Sequence, residues 1–136
     1  MTEEIKQATL RWVGDLRFEG TAPGTGTLTI DANNVAAPGP LPTLLLAAAA
    51  CSASDVVSMI EKMRMGLKSL TVYASGTRRE AEPRRLVGIH FIYAVHGEGL
   101  DEAKVRRAVA LALDKYCSVV HSLAGDMAIT HDVVLS

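Results

Sequence analysis

Residues 42–55 read PTLLLAAAACSASD, and this stretch decides the fold. Pro42 suits the first position of a helix, because the backbone N–H that proline lacks has no partner there. The residues Leu44–Ala50 are apolar and leave no polar face, a pattern typical of a helix that is buried on all sides. We therefore predict a central helix from Pro42 to about Met65, with Gly66 as its stop.

Segments of alternating apolar and polar residues flank this helix and predict strands. The predicted strands are Ala8–Val13, Arg17–Thr21, Thr27–Asp31, Leu67–Arg79, Leu86–His96 and Met127–Leu135. A second helix is predicted from Asp101, which can cap it, to about Leu123. The resulting order, β-β-β-α-β-β-α-β, predicts a single α+β domain over residues 1–136 and argues against a parallel βαβ architecture.

Composition excludes several classes of protein. The chain has 136 residues, 49% hydrophobic and 21% charged, which disfavours disorder. Its net charge of −1 provides no overall positive potential to attract nucleic acid or an anionic membrane. The prolines before residue 43 shorten the apolar segment below the ~18 residues that a membrane span needs. Acidic residues at the N-terminus do not fit a secretory signal, so we predict a cytoplasmic protein that binds neither nucleic acid nor membrane.

The completely apolar first helix also predicts an oligomer. A chain of 136 residues has few elements of its own to cover every face of such a helix. A second copy of the chain would supply the missing cover. We therefore expect a homodimer.

Two cysteines, Cys51 and Cys117, are the candidates for chemistry, and each lies well inside a predicted helix. Two are too few for a secreted disulfide scaffold, so a disulfide here would be transient and catalytic. The alternative is that each cysteine is a small buried core residue, since free cysteine is among the most buried residue types. Their separation along the chain does not establish whether their Cα atoms approach within the roughly 7 Å that a disulfide needs.

Polar residues at helical spacing surround both cysteines. Asp55 follows Cys51 by four positions, and Asp114 and His121 lie three before and four after Cys117. His121 could carry a proton for a thiol, although a histidine near a helix end is more often solvated or paired with the helix dipole. The two cysteines with His121 and Asp55 are also a conceivable zinc set, but no pair has the spacing of a zinc motif.

A reactive thiol needs a nearby cation, because Cys51 is too far from the helix N-terminus to benefit from the helix dipole. Arg17, in the predicted second strand, is our candidate, and Arg11 is the alternative. Either could instead be an ordinary exposed charge on a strand.

Several stretches together resemble a known family. They are Trp12–Phe18, Gly39–Pro42, Thr43–Leu46 leading to Cys51, Asp55–Ser58, Gly97–Leu100 and Lys115–Val119. The chain resembles, over nearly its whole length, the OsmC and Ohr family of thiol-dependent hydroperoxide reductases, and in particular its general OsmC-like branch.

The resemblance implies an intertwined α+β homodimer in which two central helices are flanked by antiparallel sheets. It also implies that Cys51 attacks an organic or lipid hydroperoxide as a thiolate and becomes a sulfenic acid, which Cys117 resolves as a disulfide. Arg17 would hold the thiolate, and an external dithiol would reduce the disulfide. No cofactor or metal is implied.

The chain departs from the family pattern just before the first helix. Members often carry a glutamate there that orients the arginine, whereas here Pro42 runs directly into Thr43-Leu44. This departure motivates an alternative function, an OsmC-like dimer that binds a small apolar ligand without turnover. A third reading is a thiol-based redox sensor acting on another protein.

Overall fold

The computed structural model describes residues 2–136 and contains six strands and three α-helices. The strands are β1 (Thr9–Gly14), β2 (Arg17–Thr21), β3 (Thr27–Asp31), β4 (Gly66–Arg78), β5 (Leu86–Glu98) and β6 (Ala128–Leu135). The helices are α1 (Pro40–Lys62), α2 (Glu102–Leu111) and the short α3 (Ser118–His121), with a π-helical turn at Ala112–Tyr116. This is the predicted α+β order, which is confirmed.

By its internal contacts the chain divides between Leu44 and Leu45 into two compact units. The first unit contains a three-stranded antiparallel sheet in the order β1-β2-β3. Its register aligns apolar residues on one face, namely Leu10, Trp12, Phe18, Leu28 and Ile30. Three of these remain largely open to solvent, since Leu10 is 59% exposed, Trp12 66% and Leu28 56%.

The second unit contains a three-stranded sheet in the order β4-β5-β6. β4 and β5 form an antiparallel hairpin, but β6 pairs with β5 in parallel. The chain therefore makes one βαβ crossover from β5 through α2 to β6, which our argument against parallel architecture did not anticipate. Alternate residues of β5 are buried, among them Phe91 and Tyr93, both 0% exposed.

Helix α1 begins at Pro40, two residues earlier than predicted, and ends at Lys62. Arg64, not Gly66, takes the left-handed conformation after the helix, with φ of 57°. Gly66 instead opens β4, where an added Cβ would lie 2.6 Å from the carbonyl oxygen of Glu98. That close backbone approach explains why glycine occupies this position.

The 23 residues of α1 include a window with a mean hydropathy of 1.7, so by length and composition the helix is able to cross a membrane. The core helix of a soluble protein passes the same test.

Only part of α1 is buried within one chain. Ala48, Ser52, Val56 and Ile60 form a completely buried stripe, whereas Leu46 is 57% exposed.

The second predicted helix is not continuous. Its first part, α2, is capped by Asp101, which accepts a hydrogen bond from the Lys104 N–H as predicted. At its end the Cys117 N–H donates to the carbonyl of Ala112 at 2.7 Å, five residues back, and this bond defines the π-helical turn. Cys117 itself has φ of −67° and ψ of 103°, which is extended backbone. The prediction that Cys117 lies well inside a helix was wrong.

Candidate active site

Cys51 lies in α1 beside the completely buried stripe and is partly exposed. Both cysteines are free thiols. Its helical position puts Cys51 directly above Ala47 and Ala48, whose small side chains leave room for a close neighbour.

Cys117 occupies the space next to that turn of α1. Its Sγ is 0% exposed and donates to the Ala48 carbonyl oxygen at 3.8 Å, across 69 positions of sequence. The Cys51 thiol lies close enough to Cys117 to raise the pKa of its thiol. The structure therefore brings the two cysteines together, which their spacing in sequence did not reveal.

The extended backbone of Cys117 makes it the N-cap residue of α3. Its Sγ accepts a hydrogen bond from the Val120 N–H at 3.5 Å, as a serine oxygen does at an ordinary N-cap. The π-helical turn thus points the thiol of Cys117 both at α1 and at the first turn of α3.

Burial raises the pKa of the Cys117 thiol. The Val120 N–H works in the opposite direction, and the adjacent Cys51 thiol raises the pKa further. Cys117 is therefore a protonated thiol at neutral pH and a poor first nucleophile. The partly exposed Cys51 is the more accessible sulfur of the pair.

Two residues that the sequence analysis did not single out lie beside the cysteines. The hydroxyl of Tyr93 on β5 donates to the Ser52 hydroxyl at 2.7 Å, and Ser52 donates to the Ala49 carbonyl at 3.1 Å. Burial raises the pKa of Tyr93 to about 12, the Ser52 hydrogen bond lowers it, and the charge of Cys117 raises it. The available signal was Ser52 within the apolar stripe of α1, since a buried hydroxyl needs a partner.

His121 does not act on the Cys117 thiol. Its Nε2 donates to the carbonyl of Leu113 at 3.1 Å and so satisfies an acceptor that the π-helical turn exposes. Asp114 lies on that turn and is exposed. The π-helical turn separates Asp114 from Cys117, so the helical spacing predicted for this pair was wrong. His121 does lie one helical turn after Cys117, since its N–H donates to the Cys117 carbonyl at 3.1 Å. Within residues 2–136, no three His, Cys, Asp or Glu side chains are grouped to hold a metal ion.

Arg17 begins β2 and is described within the first unit. Its guanidinium binds the Asp15 carboxylate at 2.8 Å, and its charge also acts on the buried Asp31. The alternative cation, Arg11, pairs with Glu19 across the β1–β2 ladder. The role of Arg17 as the partner of the Cys51 thiolate stays a prediction.

Known proteins are similar to this chain in sequence and in fold. The protein YhfA of Escherichia coli (strain K12) is 39% identical over 126 residues, which cover 92% of this chain and 94% of YhfA. A hypothetical protein from Aquifex aeolicus VF5 is 26% identical with a TM-score of 0.83, covering 98% of this chain and 99% of that one.

A more distant neighbour shares the fold alone. The organic hydroperoxide resistance protein OhrB of Bacillus subtilis is 16% identical with a TM-score of 0.61, over 98% of each chain. The model of the OsmC-like protein family matches residues 31–132, which include α1, both cysteines and most of the second sheet. That match and the YhfA identity agree with the arrangement of elements around the cysteine pair, and the chain belongs to the OsmC-like family.

Proposed function

We propose that this protein is a thiol-dependent peroxidase that reduces organic or lipid hydroperoxides. Cys51 is the attacking thiol and Cys117 the resolving thiol. The observation that carries the proposal is the contact between a partly exposed thiol and a buried, protonated one. A peroxide can reach the first, and the second is placed to react only with the product.

The oxidation of the two cysteines needs only the peroxide and a proton. The Cys51 thiolate attacks the peroxide, the S–O bond forms as the O–O bond breaks, and an alcohol leaves after taking up one proton. The Cys117 thiol then attacks the sulfur of the Cys51 sulfenic acid and expels water, so that a disulfide forms. An external dithiol takes the disulfide back to two thiols. Arg17 is proposed to stabilise the Cys51 thiolate.

The comparisons support this class of reaction. A neighbour with the same fold is named for organic hydroperoxide resistance. The free, adjacent cysteines of this chain are the groups that such chemistry needs. The relative with 39% identity, YhfA, carries a name that specifies no activity.

We also propose that the protein works as a homodimer. One chain alone leaves two apolar surfaces open, the face of the first sheet that contains Trp12 and the side of α1 that contains Leu46. Exposed apolar surface of this kind marks an interaction site. A second copy of the chain would cover both surfaces.

The test is a count of free thiols after reaction with cumene hydroperoxide. Reduced wild-type protein should lose both thiols of each chain with one equivalent of peroxide, and dithiothreitol should restore them. Cys117→Ser should stop at a sulfenic acid that dimedone traps, because it lacks the resolving thiol. Cys51→Ser should keep Cys117 reduced, since that thiol is buried and protonated.

Retention of both thiols in the wild type after peroxide treatment would contradict the proposal. So would oxidation of Cys51→Ser at the wild-type rate, because Cys117 would then be the attacking residue.

Ligand binding without turnover is a second candidate, and one groove favours it. The groove has a volume of about 420 Å³ and lies on the first sheet, lined mainly by apolar and small side chains that include Leu10, Gly20, Leu28 and Ile30. Pockets that bind small molecules are mostly apolar and of this size. A fluorescent lipid analogue should then bind saturably to the Cys51→Ser, Cys117→Ser double variant as well as to the wild type. Loss of binding in the double variant would exclude this candidate.

A further inference from the structure

The carboxylate of Asp55 is the most unusual polar group in the second unit. Its Oδ2 is buried and has no hydrogen-bond partner among residues 2–136. Nearly all buried polar atoms in proteins are paired, because burying one without a partner costs free energy. An orphaned oxygen of this kind therefore calls for an explanation, such as a group that arrives during the reaction.

The position of Asp55 on α1 relates it to the cysteine pair. It follows Cys51 by four residues, so the two side chains lie on the same side of the helix, about 5–6 Å apart at their Cβ atoms. Both are partly exposed, and both lie next to the completely buried stripe that contains Ser52 and Val56. A molecule that reaches the Cys51 sulfur from the open side also comes within reach of the Asp55 carboxylate.

Reduction of a peroxide by Cys51 requires a proton donor beside the leaving oxygen. When the O–O bond breaks, the leaving oxygen becomes an alkoxide, which is a strong base and a poor leaving group unless it is protonated. A positioned acid contributes typically 10²–10⁴-fold to the rate of such a step. The other groups beside the pair are less suited, since the Tyr93 hydroxyl is committed to Ser52 and Cys117 must keep its proton for the second step.

We propose that Asp55 is a catalytic residue that carries the proton from the Cys51 thiol to the leaving alkoxide. The carboxylate takes the proton as the thiolate forms. The sulfur then attacks, the S–O bond forms, the O–O bond breaks, and Asp55 delivers the proton so that an alcohol leaves. Asp55 ends as a carboxylate and Cys51 as a sulfenic acid. The inference rests on the proposed peroxidase function and assigns it a further residue.

The test compares three reagents that differ in their leaving group. Cumene hydroperoxide releases a basic alkoxide, peracetic acid releases acetate, and iodoacetamide releases iodide, so only the first needs a proton donor. Asp55→Asn keeps the shape of the side chain but cannot carry a proton. We expect it to slow the reaction of Cys51 with cumene hydroperoxide by about 10²-fold more than the other two reactions, which need Asp55 only to accept the Cys51 proton.

Glu61→Gln is the matched control, because it removes an exposed carboxylate from the same helix. It should leave all three rates unchanged. If Asp55→Asn reacts with cumene hydroperoxide at the wild-type rate, the proposal is overturned. An equal loss of rate with all three reagents also overturns it, because Asp55 would then deliver no proton to the leaving alkoxide.

A measurement on the wild type covers the case in which Asp55→Asn does not fold. In heavy water, Cys51 oxidation by cumene hydroperoxide should slow more than oxidation by peracetic acid, and equal slowing would contradict the proposal. A wild-type protein that reacts with iodoacetamide but with neither oxidant would refute the proposed function itself. The failure of the two proposals is thus distinguishable.

Discussion

The two sheets follow the same pattern of alternation but differ in what covers their apolar faces. In the first sheet, Trp12 and Leu28 are 66% and 56% exposed, although they lie on a face that the register makes continuously apolar. In the second sheet, Phe91 and Tyr93 are both 0% exposed. Alternation along a strand therefore establishes which face is apolar, but the rest of the assembly decides whether that face is buried.

The first sheet leaves its apolar face exposed, whereas the second sheet buries its own. The second sheet belongs to a unit that has its own helices, and a residue of α1, Ser52, reaches Tyr93 directly. The first sheet has an apolar face of comparable character that stays open in the single chain. Substitutions at the buried positions of the second sheet should therefore alter the stability of the chain, and those on the apolar face of the first should alter its association.

The largest expected effect is that of Phe91→Ala in the second sheet. Removing a completely buried aromatic ring should lower the free energy of unfolding by about 3–5 kcal/mol. Urea denaturation of the wild type and variant measures the difference. Ile92→Ala, on the opposite face of the same strand, should cost clearly less, and an equal loss would show that the two faces of β5 are not distinguished as described.

The next effect is that of Trp12→Ala in the first sheet. If a second copy covers this face, truncating a large aromatic side chain there should weaken the dimer by about 2 kcal/mol, or roughly 30-fold in Kd. Sedimentation velocity across a dilution series provides the measurement. Thr29→Ala, on the polar face of the same sheet, is the control, and a wild type that stays monomeric at micromolar concentration would disprove the dimer.

A smaller effect is expected at the buried hydrogen bond of the second sheet. Tyr93→Phe removes the hydroxyl that donates to Ser52 and should cost about 1 kcal/mol. Ser52→Ala should cost more, because it leaves the buried Tyr93 hydroxyl without its acceptor. Thermal unfolding of both variants tests this order, and the reverse order would mean that Tyr93 finds another partner.

The smallest expected effect is a change in how the stability of the protein depends on pH, and it comes from Asp31 in the first sheet. The pKa of Asp31 lies below its ordinary value, chiefly because its carboxylate accepts hydrogen bonds from the N–H groups of Ala36 and Asn33. Burial of the carboxylate opposes this lowering of the pKa. The Val35 N–H and the charge of Arg17 contribute smaller decreases. A lowered pKa in the folded state stabilises the fold fully above the unfolded value of about 3.9, and this contribution disappears as the pH falls through the folded pKa.

Unfolding followed from pH 6 downwards should therefore show a loss of stability in the wild type below about pH 4 that is smaller in Asp31→Asn. The variant has no carboxylate to protonate at this position. Parallel pH profiles for the two proteins would show that Asp31 contributes nothing to the acid sensitivity.

The sequence predicted the order of the elements because their signals are local. Proline at the start of α1, the alternation in β4 and β5, and the Asp101 cap of α2 each act within a few residues. The parallel pairing of β6 with β5 was missed because it depends on the path of the chain between them. The adjacency of Cys51 and Cys117 depends on packing over 66 positions and could not be calculated from spacing.

The unpaired oxygen of Asp55 shows the same difference between features that local sequence predicts and features that depend on packing. The sequence placed Asp55 one turn after Cys51, which is correct for an unbroken helix such as α1. It could not show that one carboxylate oxygen is buried without a partner, because that depends on the elements packed around it. The same spacing rule failed for Asp114, since the second helix is interrupted before Cys117.

The π-helical turn before Cys117 makes the site depend on a count of residues as well as on their identities. Such a turn contains one residue more than an α-helical turn, and the bond from the Cys117 N–H to Ala112 is its signature. Loss of a single codon there, for example that of the exposed Lys115, would restore α-helical spacing and rotate position 117 by about 100° about the helix axis. Both cysteines would survive such a deletion, yet the Cys117 thiol would be turned away from α1. A scan of point substitutions would never reveal this dependence.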